Sequence, residues 1–318
     1  LAPGLELPAI LGAPSPLQNV ANLESKGWEL NMTWKDVIKD FHYSFGFNIS
    51  DNRAFITKFK NEPGLISNYY VGQEINEIWG YTTQGYFAVE DFVDGTLNAD
   101  LTGGTLKPDI AVLEGMTNKH NPGDIRYVDL NNDGIINDGD GTLTNPGDRS
   151  VIGNDTRRYQ FGANGSVEYK NFDFSFFIQG VGKRDRWINT AVFWPYDGQF
   201  GEIFQHQLDY WTPEKTDGFY PRMYADGSGN TAKSRLCQTK YLSNGAYLRI
   251  KNITVGYSLP QRMLLPIGIT NVRVFFSGEN LFTFDDLPKG LNGDNKNITS
   301  GGYYPFLKKY SLGLNISF

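Results

Sequence analysis

The segment Tyr310-Ser-Leu-Gly-Leu-Asn-Ile-Ser-Phe318 alternates without a break between large apolar side chains (Tyr310, Leu312, Leu314, Ile316, Phe318) and small or polar ones (Ser311, Gly313, Asn315, Ser317). A strict period of two puts all five apolar groups on one side of a pleated strand. Such a strand is stable only where something covers that side, either a packed core or lipid. The same alternation recurs upstream. Gly27 to Trp34 sets Trp28, Leu30, Met32 and Trp34 against Glu29, Asn31 and Thr33, and Phe41 to Ser50 sets Phe41, Tyr43, Phe45, Phe47 and Ile49 against His42, Ser44, Gly46, Asn48 and Ser50. Tyr159 to Lys170 and Phe172 to Gly180 repeat it, joined through a tight hairpin at Lys170 and Asn171. Ala246 to Leu259 changes parity, Leu248 and Ile250 against Ile253, Val255, Tyr257 and Leu259, so a bulge near Lys251-Asn252 is expected. Asn271 to Thr283 is the sixth strand and the segment ending at Phe318 the seventh.

The connections alternate in length: short at 35 to 40, long at 51 to 158, very short at 170 to 171, long at 181 to 245, short at 260 to 270, long at 285 to 308. Short turns at one end and long loops at the other are the asymmetry of a bacterial outer-membrane barrel, whose strands need only about 9 to 11 residues to cross the bilayer. Trp34, Phe41, Tyr169, Phe172 and Tyr257 flank the short turns, where an interfacial aromatic girdle belongs. The fold class expected is all-β, about seven antiparallel strands of a large transmembrane barrel. Seven is odd, whereas single-chain bacterial barrels have an even count, so these strands read as a piece of a larger one. Residues 1 to 21 hold Pro3, Pro8, Pro14 and Pro16 without a basic start or an apolar core, and read as a loop rather than a signal peptide.

A net charge of −6 has the wrong sign for neutralising nucleic-acid phosphates. Apolar runs never approach the roughly 20 residues of a transmembrane helix, which leaves a barrel open. Cys237 is the single cysteine and says nothing about redox compartment.

Three runs carry a family resemblance: Gly123-Asp-Ile-Arg-Tyr-Val-Asp-Leu-Asn-Asn-Asp-Gly-Ile-Ile-Asn137, Asp148-Arg-Ser-Val-Ile-Gly-Asn154 and Tyr247-Leu-Arg-Ile-Lys-Asn-Ile-Thr-Val-Gly-Tyr-Ser-Leu-Pro260. Supporting stretches are Asn22 to Leu30, Gly80 to Phe87, Phe177 to Gly182, Val274 to Phe284 and Leu312 to Phe318. Together, and in this order, they resemble the C-terminal part of SusC/RagA-type TonB-dependent outer-membrane transporters of Bacteroidetes. The resemblance implies the last seven strands of a 22-stranded barrel that imports oligosaccharides or peptides with a SusD-like surface lipoprotein as lid. It also implies coupling to the TonB complex through a plug and TonB box that these residues do not contain.

Within the first of those runs, Asp129, Asn131, Asp133, Asn137 and Asp140 occupy positions 1, 3, 5, 9 and 12, with Gly134 at 6 and the Ile135 carbonyl at 7. Hard cations take about six to eight oxygen ligands, and this spacing can supply them to a structural Ca²⁺. Pro122, Gly123, Pro146 and Gly147 flank the run, so it is a freestanding loop and not an EF-hand. In the transporter family the closing acid directly precedes a stretch like that after Asp148, so either Asp140 or Asp148 closes the loop. The competing reading is an Asx- and Gly-rich turn without metal.

Catalysis is not expected. His42, His120 and His206 lie in separate segments without metal-ligand spacing, and Asp285-Asp286 reads as a solvated pair. Trp79, Tyr81, Phe193, Trp194, Tyr196, Trp211 and Tyr224 on the long loops read as packing anchors before sugar- or peptide-stacking platforms. The rival to the transporter is a calcium-stabilised surface β-sandwich, an adhesin or glycan-binding protein, whose strands also alternate.

Overall fold

The computed structural model describes residues 2–3, 17–18, 21–115, 120–191, 193–195, 203–224, 233–288, 291, 294 and 306–318, without the side chains of residues 2–3, 17–18 and 267. Most of the N-terminal loop expectation, Tyr196 and most of the 285 to 308 loop lie outside them.

Seven long strands form one antiparallel sheet: β1 (Asn22–Ile38), β2 (Phe41–Lys58), β3 (Arg158–Tyr169), β4 (Phe172–Lys183), β5 (Tyr247–Ser258), β6 (Asn271–Asp285) and β7 (Lys309–Ser317). Each pairs with its neighbour in sequence, so the sheet is a simple meander. Lys39 and Lys170 take positive φ of 56° and 53° in two-residue turns, the backbone that lets a tight hairpin follow the strand twist.

Register brings like faces together across the sheet. On one side Phe45 lies opposite Gly165, Gly165 opposite Phe176, Phe176 opposite Ile253, and Gly278 opposite Tyr310. Gly165 leaves room there: a Cβ would sit 2.4 Å from the Phe176 ring. On the other side a row of hydroxyls crosses six strands, Ser44, Ser166, Ser175, Thr254, Ser277 and Ser311, each opposite the next. Ser44 and Ser166 hydroxyls meet at 2.7 Å, and Thr254 and Ser277 at 3.0 Å. Arg273 and Asp173 pair through two hydrogen bonds on that same polar side. The expected bulge is present: pairing passes from Asn252 with Phe177 to Ile250 with Ile178, skipping Lys251. Leu248 and Ile250 thereby join the face of Ile253, Val255 and Tyr257.

The strands outrun the alternating segments. β1 is 17 residues long and β2 is 18, so the 35-to-40 turn shrinks to Lys39 and Asp40, and the first long loop starts after Lys58. Ladder pairing needs only backbone groups, so the hairpin continues through Asp51, Asn52 and Arg53, where apolar alternation has ceased. Asp51 there binds the Arg158 guanidinium at the start of β3.

Neither sheet face carries the main apolar core. Phe174, Val274, Phe276, Leu312 and Leu314 are exposed, whereas Tyr81, Ile125, Tyr127, Ile136, Ile188, Phe193, Trp194, Tyr220 and Tyr241 form a buried cluster in the loops. Short ladders frame it: Glu77–Tyr81 with Arg149–Asn154, Thr83–Tyr86 with Ile125–Tyr127, and Asp185–Trp187 with Leu242–Asn244. The first two long loops thus fold into one unit.

Candidate functional site

The site singled out by sequence begins where Gly123 turns at φ +91°. A Cβ at that position would lie 2.3 Å from the Trp211 ring, so only glycine lets the two loops close. Asp124 is fully buried, and its carboxylate accepts from the Lys233 ammonium at 2.6 Å, the Tyr224 hydroxyl at 2.7 Å and the Asn121 amide N–H at 2.7 Å. Alternation then sends Ile125 and Tyr127 into the core, while Arg126 pairs with Asp91 at 3.1 Å.

The Asp-Asn-Gly run follows as a chain of turns. Asp129 accepts N–H groups of Asn132 (2.6 Å) and Gly134 (2.8 Å), and Asp133 accepts that of Ile135 (2.8 Å). Asn131 donates its side-chain amide to Asp133 at 2.9 Å. These three side chains share one turn around Gly134, whose φ is +83°. Asn137 and Asp140 cap later turns: Asn137 Oδ1 accepts from Gly139 N–H at 2.8 Å, and Asp140 from the Thr142 hydroxyl at 2.6 Å, which holds the Asp140 carboxyl below the usual carboxylate range. Asp148 is buried at the base and bridges the loop's two limbs, accepting from Leu130 N–H at 2.8 Å and Asn137 N–H at 2.9 Å. Among the described residues no three His, Cys, Asp or Glu side chains converge as a metal-ligand group. Asp129 and Asp133 can offer a cation only the lone pairs that their own turn leaves free.

Tyr81, Phe193, Trp194 and Trp211 are buried anchors. Trp79 donates its indole N–H to Glu77 at 2.9 Å, and Tyr224 is held by Asp124. The histidines are spread as expected: His42 on the polar side of β2, His206 in a single 3₁₀ turn, His120 in the loop core. Sequence reasoning missed the Lys233–Asp124 pair, because its members are 109 positions apart and no local pattern joins them.

His120 packs on Phe87 with ring centroids 4.7 Å apart, and its Nε2 accepts from Leu113 N–H at 3.4 Å. Burial, reinforced by the nearby Lys233 charge, pushes its pKa down to about 4. The neutral ring supports the fold above the unfolded-state pKa of about 6.5, and that support is lost as pH falls towards 4. Acidification through this window should raise hydrogen exchange in the loop core, and His120→Phe should flatten that response. An unchanged pH profile in the variant would count against the assignment.

No protein-family model matches the chain. Among curated proteins it is 28% identical to TonB-dependent receptor P3 of Formosa agariphila, over 98% of this chain and 30% of the relative. It is 27% identical to TonB-dependent receptor SusC of Bacteroides thetaiotaomicron, over 95% of this chain and 27% of the relative. Among solved structures, the RagAB peptide transporter aligns with a TM-score of 0.62 at 19% identity, over 98% of this chain and 31% of that one. The RagAB peptide importer in its closed-closed state gives a TM-score of 0.64 at 19% identity, again over 98% and 31%. The chain therefore spans about 30% of the length of the proteins it matches. At such identities the structural match establishes the fold, and the open meander is a segment of a large antiparallel barrel. The chain is a homologue of TonB-dependent receptors, SusC among them, and it folds as a seven-stranded part of a RagA-like barrel with its long loops.

Proposed function

We propose that this chain forms part of the wall and the outer loops of an outer-membrane, TonB-dependent nutrient importer. The observation that carries the reading is the sorting of the sheet: exposed Trp28, Phe45, Phe174, Val274 and Leu314 on one side, the hydroxyl row from Ser44 to Ser311 on the other. A water-filled lumen and a lipid exterior call for that division. Oligosaccharides or peptides are the cargo, a SusD-like surface lipoprotein is the partner, and the TonB complex drives transport through parts of the protein outside these residues. The names of the relatives support TonB dependence and, for RagAB, a peptide cargo; the oligosaccharide alternative and the lipoprotein partner rest on the family resemblance of the sequence. The complete protein should fractionate with the outer membrane, require detergent for extraction, and migrate differently before and after boiling. Full solubility without detergent would sink the reading in favour of a surface β-sandwich.

We also propose a structural Ca²⁺ held by Asp129, Asn131, Asp133, the Ile135 carbonyl and Asn137, closed by Asp140 or Asp148. The support is the single turn that gathers Asp129, Asn131 and Asp133 around Gly134. Asp129→Ala and Asp133→Ala should each lower calcium affinity measured by titration calorimetry. Asp148→Ala should loosen the loop in chelator as well as in calcium, because two backbone N–H groups lose their acceptor. Asp140→Ala frees the Thr142 N–H and hydroxyl in chelator and in calcium alike, and should lower calcium affinity as well if Asp140 is the closing ligand. A high-resolution map in saturating calcium without density about 2.3 to 2.6 Å from these oxygens would reject the site.

A further inference from the structure

A cleft of about 390 Å³ opens on the loop unit beside the buried aromatic cluster, within the range of about 300 to 1,000 Å³ usual for small-molecule sites. Its inner wall is Tyr220 and Tyr241, each 1% exposed with nearly parallel rings. Phe219 differs from them. It stays 42% exposed while its ring meets Tyr220, Tyr241 and Phe193 at 86°, 83° and 76°. A ring pinned by three neighbours is a rigid apolar platform, and contact with it costs little conformational entropy.

The polar lining is equally organised. Lys240 places its ammonium 4.7 Å from the Tyr86 ring centre and 5.7 Å from that of Tyr241, with no ion pair among the described residues. Asn244 donates to Asp286 at 2.7 Å, which fixes an amide and a carboxylate side by side, and Asp209 is already paired with Lys215. With Asp209 offset by Lys215, the formal charges of Lys240 and Asp286 cancel, so the cleft carries no net charge that selects ligands of one sign. The buried hydroxyl of Tyr220 has no hydrogen-bond partner among the described residues.

We propose that this cleft binds a neutral saccharide, with a sugar ring against Phe219 and its hydroxyls bonded to Lys240, Asn244 and Asp286. The inference rests on the importer reading and selects between its two cargo classes. A saccharide offers C–H faces beside groups that both donate and accept, and the cleft sets an apolar ring next to an ammonium, an amide and a carboxylate. Peptides are more often read through main-chain pairing with a free strand edge and pockets for alternate side chains. Here the polar partners are side chains.

The test uses the complete receptor in detergent and titration calorimetry with α-glucan, β-glucan, xylan and mannan hexaoses, and with a mixed pentapeptide pool. At least one hexaose should bind. Phe219→Ala should weaken it by about tenfold or more, and Phe219→Leu, which keeps apolar packing but removes the flat ring, by nearly as much. Asn244→Ala should weaken it several-fold, while Leu143→Ala, on another part of the loops, should leave it unchanged. Binding of peptides alone, of no hexaose, or of hexaoses with undiminished affinity in Phe219→Leu and Asn244→Ala would overturn the proposal. Saccharide binding that depends on Phe219, in a protein that extracts without detergent, would leave the cleft standing and remove the importer reading instead.

Discussion

Replacing Asp124 with alanine should cost about 3 to 5 kcal/mol of loop stability, because it removes the carboxylate that neutralises the buried Lys233 ammonium. Lys233 and Asp124 are both almost wholly buried and 2.6 Å apart, and Tyr224 and Asn121 satisfy the remaining carboxylate lone pairs. Removing one partner leaves a desolvated charge, whereas removing both leaves none. The double variant Asp124→Asn, Lys233→Met should therefore lose less than the sum of its singles. Hydrogen exchange would report the change in Thr83–Tyr86 and Ile125–Tyr127, the ladder next to the pair, while amides of β1 to β7 stay protected. Additive losses, or loosening spread evenly over the barrel strands, would refute the view that this pair pins the two loops together.

Arginine at Phe174 should destabilise the protein by about 2 to 4 kcal/mol in lipid vesicles, and arginine at the adjacent Ser175 by much less. Phe174 lies opposite Val167 and Val255 on the apolar side, and Ser175 opposite Ser166 and Thr254 on the polar side. Neighbours in one strand point to opposite faces, so the pair compares lipid with lumen at almost constant depth. Phe45, Phe176, Val274 and Leu314 should behave like Phe174, and Ser44 and Asn315 should tolerate polar exchanges as Ser175 does. Denaturant unfolding in vesicles gives the measurement. Equal tolerance on the two faces would remove the membrane assignment.

Most of the sheet was legible in advance because its information is local. Alternation at every second residue assigned faces in all seven strands. The parity change between Ile250 and Ile253 placed the bulge near Lys251-Asn252, since one extra residue returns both halves to one face, and the pairing skips Lys251. The ends of β1 and β2 were not legible: beyond Trp28 and Ile49 pairing continues through polar residues that carry no alternation. The role of Asp148 was only half legible. The family resemblance marked it as a possible closing ligand beside Asp140, but its burial and its two backbone partners come from the folded loop.

By itself, then, the sequence determined strand faces, hairpin order, the bulge and the family resemblance, all of which depend on residues within a few positions of one another. The tertiary structure alone decided how the loops join. Gly123 admits Trp211, Asp124 meets Lys233, and Phe219 stands exposed against Tyr241 only after segments about 20 to 110 residues apart have packed together. Hydrophobic burial is non-directional and names no partner, so those contacts are set by shape, charge and chain closure in three dimensions.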